Sequence, residues 1–152
     1  MPKEKYSELQ KKYNLPDFNS LNTDFDLEDI EGETAILLSR VRVKMHEKID
    51  FYAKTIENML QPESSLADMY EAHYVEDDDK SSAYALFKKL MKLIRMSTFI
   101  AITNKEEENA EFIKTAFKEW ESSKKEIKKL LQHLIDLWGM ETDIKEDLNY
   151  FG

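Results

Sequence analysis

The sequence predicts an all-α fold: a single-domain bundle of three long helices, with short helices at the N-terminus, in the middle and at the C-terminus. Two observations carry the class. Only three glycines and three prolines occur in 152 residues, which removes most of the punctuation that sheets and tight turns need. Apolar residues also recur at spacings of three and four over long runs, the period of an α-helix with one buried stripe. A chain of this length forms one core and buries about 70% of its unfolded surface, so it needs no covalent staple.

Residues 3–13 place Tyr6, Leu9 and Tyr13 at helical spacing, and Asn14 followed by Leu15-Pro16 ends that turn, because proline excludes the preceding residue from α space. Residues 17–32 scatter Phe18, Leu21, Phe25, Leu27 and Ile30 among acids. The expectation there is an irregular arm pinned by its apolar side chains, making residues 1–32 an N-terminal unit laid on a bundle core of 33–139. The first long helix runs from about Thr34 to Leu60, with Leu38, Val41, Met45, Ile49, Tyr52, Ile56 and Met59 on one stripe. Phe51 falls on the opposite face beside Arg40, Lys44 and Lys54, and the arm is the expected cover for it.

A two-turn helix with Leu66, Met69 and Tyr70 follows, capped by Ser64 or Ser65. The acids of "YEAHYVEDDD" (70–79) then read as a charged break whose carboxylates favour the positive end of the next helix, at about 81–103. In that helix Ala83, Leu86, Leu90 and Ile94 oppose Lys88, Lys92 and Arg95. Beyond Arg95 the basic face continues as Phe99 and Ile102, so the second half is expected to be the most buried part of the bundle. The last long helix reaches about Trp138 and stops at Gly139. A tail, residues 140–152, adds one more turn packed on or beside the bundle.

Composition narrows the functional classes. Without cysteine there are neither disulfides nor thiolate metal ligands, and a reducing, cytoplasmic setting is the default. The longest apolar run is interrupted by Lys92 and Arg95, too short and too charged to span a membrane. A net charge of −9 opposes nucleic-acid binding unless the lysine faces of 40–44, 88–95 and 124–129 align into one patch. Glycines at 32, 139 and 152 leave no phosphate-cradling loop.

Three constellations could carry chemistry. His46, His73 and His133 fall on three different helices, the distribution a histidine-only metal site across a bundle would need. Arg40 followed six positions later by His46 resembles the catalytic motif of the HEPN ribonucleases, which are also helical bundles. The resemblance covers those two residues and implies an RNA-binding or RNA-cleaving bundle, with His46 as general base at a ribose 2′-hydroxyl. In the structural alternative, Arg42, His46 and Asp50 stack along one helix flank.

The reading preferred here is a non-enzymatic protein-interaction or scaffold module that requires no cofactor. Its partner is another protein or a second copy of the chain. Phe18, Phe25, Phe51, Tyr150 and Phe151 are the expected anchors, because the main helical stripes do not account for them and aromatic side chains favour interfaces.

Overall fold

In the computed structural model, which describes residues 2–63 and 65–151, Asp17 and Ser65 open helices as side-chain caps, and left-handed Asn14, Asp26 and Asn104 close helices. Helix α1 (Pro2–Tyr13) stops at Asn14, whose φ of 54° turns the chain so that the Leu15 N–H reaches the Gln10 carbonyl at 3.1 Å. Helix α2 (Phe18–Phe25) starts at Asp17, whose carboxylate accepts from the Ser20 N–H at 3.2 Å, and ends at left-handed Asp26. The arm is therefore partly helical rather than irregular. Its three apolar anchors Phe18, Leu21 and Phe25 do sit at helical spacing, but eight residues are too few for a period to stand out.

Helix α3 (Thr34–Leu60) has the expected limits. Helix α4 (Leu66–Tyr74) is capped by the Ser65 hydroxyl, which accepts from the Asp68 N–H at 3.1 Å. Helix α5 (Asp77–Thr103) starts a turn earlier than the sequence suggests, with Asp77, Asp78 and Asp79 inside its first turn. The dipole argument holds and is what moves the boundary, since acids stabilise the first turn as well as the residues before it. Left-handed Asn104 (φ 52°) then closes α5, its N–H on the Ile100 carbonyl at 2.8 Å. Helix α6 (Glu106–Trp138) follows almost at once and runs for about 50 Å. Helix α7 (Ile144–Phe151) completes the chain.

The three long helices pack on one another. Arg42 with Asn109 and Tyr52 with Trp120 set α3 parallel to α6, and because the tight turn at Asn104 reverses the chain between α5 and α6, α3 runs antiparallel to α5. Their seam holds Leu38, Val41, Met45 and Ile49 of α3, Ala83, Leu86, Leu90 and Ile94 of α5, and Ile113, Ala116 and Ile127 of α6, all buried. The arm covers a second flank. Tyr6, Leu9, Leu15, Phe18, Leu21, Phe25, Leu27 and Ile30 are buried, Phe25 lies 5.5 Å from Trp120 between ring centroids, and Asp24 pairs with Lys124 at 2.9 Å. Burial and the neighbouring Asp17 push the Tyr6 phenol far above its ordinary range, where it stays a donor to the Pro16 carbonyl at 2.6 Å.

Gly32 joins arm to α3 with φ at +122°, and a Cβ there would stand 2.6 Å from Ile36 Cδ1. The Ile36 tip can move aside, but the backbone angle stays hostile to an L side chain. Gly32→Ala is expected to destabilise the fold by about 1–2 kcal/mol, read as a lower urea midpoint at unchanged slope.

Candidate interaction surfaces

Two expectations about the core fail, and both failures expose apolar surface. Phe99 and Ile102, expected in the most buried part of the bundle, are 71% and 80% exposed. The bundle is three long helices with the arm on one flank only, so the outer side of α5 has nothing left to pack against. Together with Met96, Ile100 and Phe112, Phe99 lines a shallow groove of about 320 Å³, edged by Glu107, Glu108 and Glu111 of α6. Phe51, expected under the arm, is 64% exposed and touches Tyr52 edge-on at 5.2 Å.

The remaining anchors divide. Phe18 and Phe25 lie in the core, so the arm that carries them is a structural layer and they cannot meet a partner while the chain is folded. The side chains of Tyr150 and Phe151 lie outside the described residues. Arg40 is exposed and His46 half-buried on α3, and six residues at about 100° each set them roughly 120° apart around the helix.

Arg42 is the largest departure from the surface ladder expected at Arg42, His46 and Asp50. It is buried, with Nε donating to Asn109 Oδ1 at 2.7 Å and Nη1 to the Ser97 hydroxyl at 2.8 Å and the Ser97 carbonyl at 3.1 Å. Asn109 in turn donates to Asn104 Oδ1 at 3.1 Å and to the Lys105 carbonyl at 2.9 Å. These bonds tie α3 and α6 to α5 and to the tight α5–α6 turn. Burial pushes the guanidinium below the usual arginine range. Asp50 pairs instead with Lys54 at 3.1 Å.

The basic runs do not merge into one patch. In 40–44, Arg42 is consumed internally and Lys44 pairs with Asp29 of the arm at 3.2 Å. Lys89 and Lys129 do share a groove between α5 and α6, but Asp79 and Glu126 line it as well.

The three histidines are also kept apart, on α3, α4 and α6, and among the described residues no three His, Asp or Glu side chains are grouped to hold a metal ion. His133 meets Asp79 instead, Nδ1 to Oδ2 at 2.7 Å, tying α6 to the first turn of α5. The pair borders a depression of about 540 Å³ whose other walls include Tyr74, Lys129 and Asp136.

The far end of the bundle is built by α4, the last turn of α6, and α7. Tyr70 stacks on Trp138 at 4.3 Å between centroids, and its hydroxyl donates to the Leu137 carbonyl at 2.5 Å. Trp138 Nε1 donates to Glu71 at 3.0 Å. Helix α7 is held through Asp147, which accepts from the Thr142 hydroxyl at 2.5 Å and from the Tyr74 hydroxyl. Ile144 and Leu148 turn away and are 75% and 58% exposed. The sequence signal for this face was present in the four-residue spacing of Ile144 and Leu148, but spacing does not say which side of a helix docks.

Those bonds, from Thr142 and then Tyr74, hold the Asp147 carboxyl below its ordinary value of 3.8, and the Asp147 bond pushes the Tyr74 phenol up to about 12. A depressed acid binds its proton more weakly in the folded chain. Its contribution is thus present above the unfolded value and is lost as pH falls through the folded one. Docking of α7 is expected to weaken below about pH 3.8, and the measurement is the methyl NMR shifts of Ile144 and Leu148 titrated down through the carboxylate range. Asp147→Asn should flatten that titration. For Tyr74 the sign reverses: the bond is kept until the phenol loses its proton near 12.

The chain matches no family model, and no curated protein and no solved structure is significantly similar to it. Among the described residues no helix is long and apolar enough to cross a membrane.

Proposed function

We propose that this chain is a non-enzymatic protein-interaction module, a helical scaffold that offers α7 to a groove on another protein. One observation carries the reading. Helix α7 attaches through the Asp147 carboxylate, which accepts from Tyr74 of α4, and leaves Ile144 and Leu148 in water, where apolar burial alone would turn those two side chains inward. Anchors spaced i and i+4 on an exposed helix are the form read by partners that bind a helix in an apolar groove.

The test is recovery of partners from the native host by wild type and by Ile144→Glu/Leu148→Glu. The variant is expected to keep the wild-type circular dichroism spectrum and melting temperature while losing the partners that wild type retains. An unchanged partner set would overturn the assignment to α7.

A second reading rests on the Asp79–His133 pair. An imidazole oriented by a carboxylate at the edge of a hollow is the arrangement of a general base, whereas the scaffold reading takes it as a tie between α5 and α6. His133→Gln keeps an amide at the position and removes the base. Turnover in a panel of ester and phosphoester substrates that disappears in this variant would favour the second reading. Unchanged partner recovery with no turnover in either protein favours the first.

A further inference from the structure

The outer stripe of α5 is divided in a way a single partner helix would rarely match. Lys88, Lys92, Arg95, Phe99 and Ile102 follow one another at spacings of four, three, four and three, and all five are exposed. The stripe is cationic for its first half and apolar for its second, and the apolar half is edged by Glu107, Glu108 and Glu111. Among the described residues, neither Lys88, Lys92 and Arg95 nor Glu107 and Glu108 form an intrachain salt bridge. A basic amphipathic helix laid on the groove would satisfy the acids but run into the lysines. An acidic one would do the opposite.

A second copy of the chain, turned end for end, satisfies both halves. With a twofold axis crossing α5 between Arg95 and Phe99, each position faces the one equally far from the axis on the other copy. Arg95 of one copy then lies over Phe99 of the other, the placement favoured by cation–π attraction. The stem of Lys92 covers Ile102, with its ammonium left in water. Lys88 falls at the level of the α5–α6 turn, where Glu107 and Glu108 stand. Every contact occurs twice, as a closed twofold interface requires.

We infer that the α5 stripe is a self-association surface on which two copies of this chain pair antiparallel, apolar half against cationic half. The stripe from residue 88 to 102 is about 21 Å long. With the α6 edge it buries on the order of 500 Å² per copy, near the low end of specific interfaces. Such a dimer dissociates in the micromolar range and uses a surface separate from α7.

The experiment is sedimentation equilibrium of the full chain from about 1 to about 500 µM, a range that brackets such an affinity. Wild type is expected to pass from monomer to dimer across it. Phe99→Glu/Ile102→Glu is expected to remain monomeric with an unchanged melting curve. Lys88→Glu/Lys92→Glu and Glu107→Lys/Glu108→Lys should each be monomeric alone, because acid meets acid or lysine meets lysine. Mixed in equal amounts they should re-form a dimer of one copy of each, since both halves of the interface then carry opposite charges.

A wild type monomeric throughout, or charge-swapped variants that fail to pair when mixed, would overturn the inference. So would a dimer abolished by Ile144→Glu/Leu148→Glu, which would place self-association on α7. The α7 reading would survive the first two results, because its own test is recovery of a different protein.

Discussion

A chain lacking residues 1–31 is expected to lose its cooperative unfolding transition. The arm buries Tyr6, Leu9, Leu15, Phe18, Leu21, Phe25, Leu27 and Ile30, each contributing about 1.5–3 kcal/mol of burial before the entropy of ordering the arm is subtracted. Removing the arm also uncovers the faces of α3 and α6 on which it lies, and the whole net stability of a domain is only about 5–15 kcal/mol. Trp120 would also lose Phe25 from its face. The truncated chain should keep much of its far-ultraviolet helix signal, lose near-ultraviolet signal and bind a hydrophobic dye, the signature of helices without fixed packing. A sharp urea transition with the wild-type midpoint would instead mean that the arm is dispensable. Phe25→Ala offers a milder version, expected to cost about 3–5 kcal/mol with the fold retained.

The second large effect is expected at Asn109. Its Oδ1 is the acceptor for Arg42 Nε, and none of the three Arg42 bonds goes to a carboxylate. Asn109→Leu would leave a buried guanidinium short of a partner, and stranding a buried charge costs about 3 kcal/mol or more. For a chain of this length that lowers the melting temperature by about 10 °C. The triple variant Arg42→Met/Ser97→Ala/Asn109→Leu removes the charge together with the groups that solvate it. It is expected to recover most of the loss, because buried polar clusters are often replaceable by apolar ones of similar volume. Thermal melts of the single and triple variants give the comparison. A triple variant less stable than Asn109→Leu would show that the cluster contributes net stability beyond solvating its own charge.

The cluster also bears on the exposed faces. Through Asn109 and Asn104 it fixes the tight turn that places the acid-edged start of α6 beside the apolar end of α5. A chain that has lost it is expected to blur the relation between Phe99 and Glu107, Glu108 and Glu111 even where each helix survives.

Helix limits and buried stripes were the most legible features. The α3 stripe through Leu38, Val41, Met45 and Ile49 reads directly from spacing, because local geometry alone puts those side chains on one face. The cap at Ser65 was legible for a similar reason: it depends on a backbone N–H three residues away. Candidate sites were less so. Arg42 looked like one more cation in a basic run, and only the meeting of α3 with Ser97 and Asn109, far away in the chain, gives it buried partners. Phe18 and Phe25 looked spare because the arm's docking site on α3 and α6 is not written in the arm.

By itself, then, the sequence determined the all-α class and the three long helices, which follow from interactions within a few residues. The tertiary structure decided which apolar stripes found cover. With the arm occupying one flank and no further helix to spare, Phe99 and Ile102 on α5 and Ile144 and Leu148 on α7 stay in water. A helical period shows that a face is apolar, but only the count and placement of neighbouring helices show whether anything covers it.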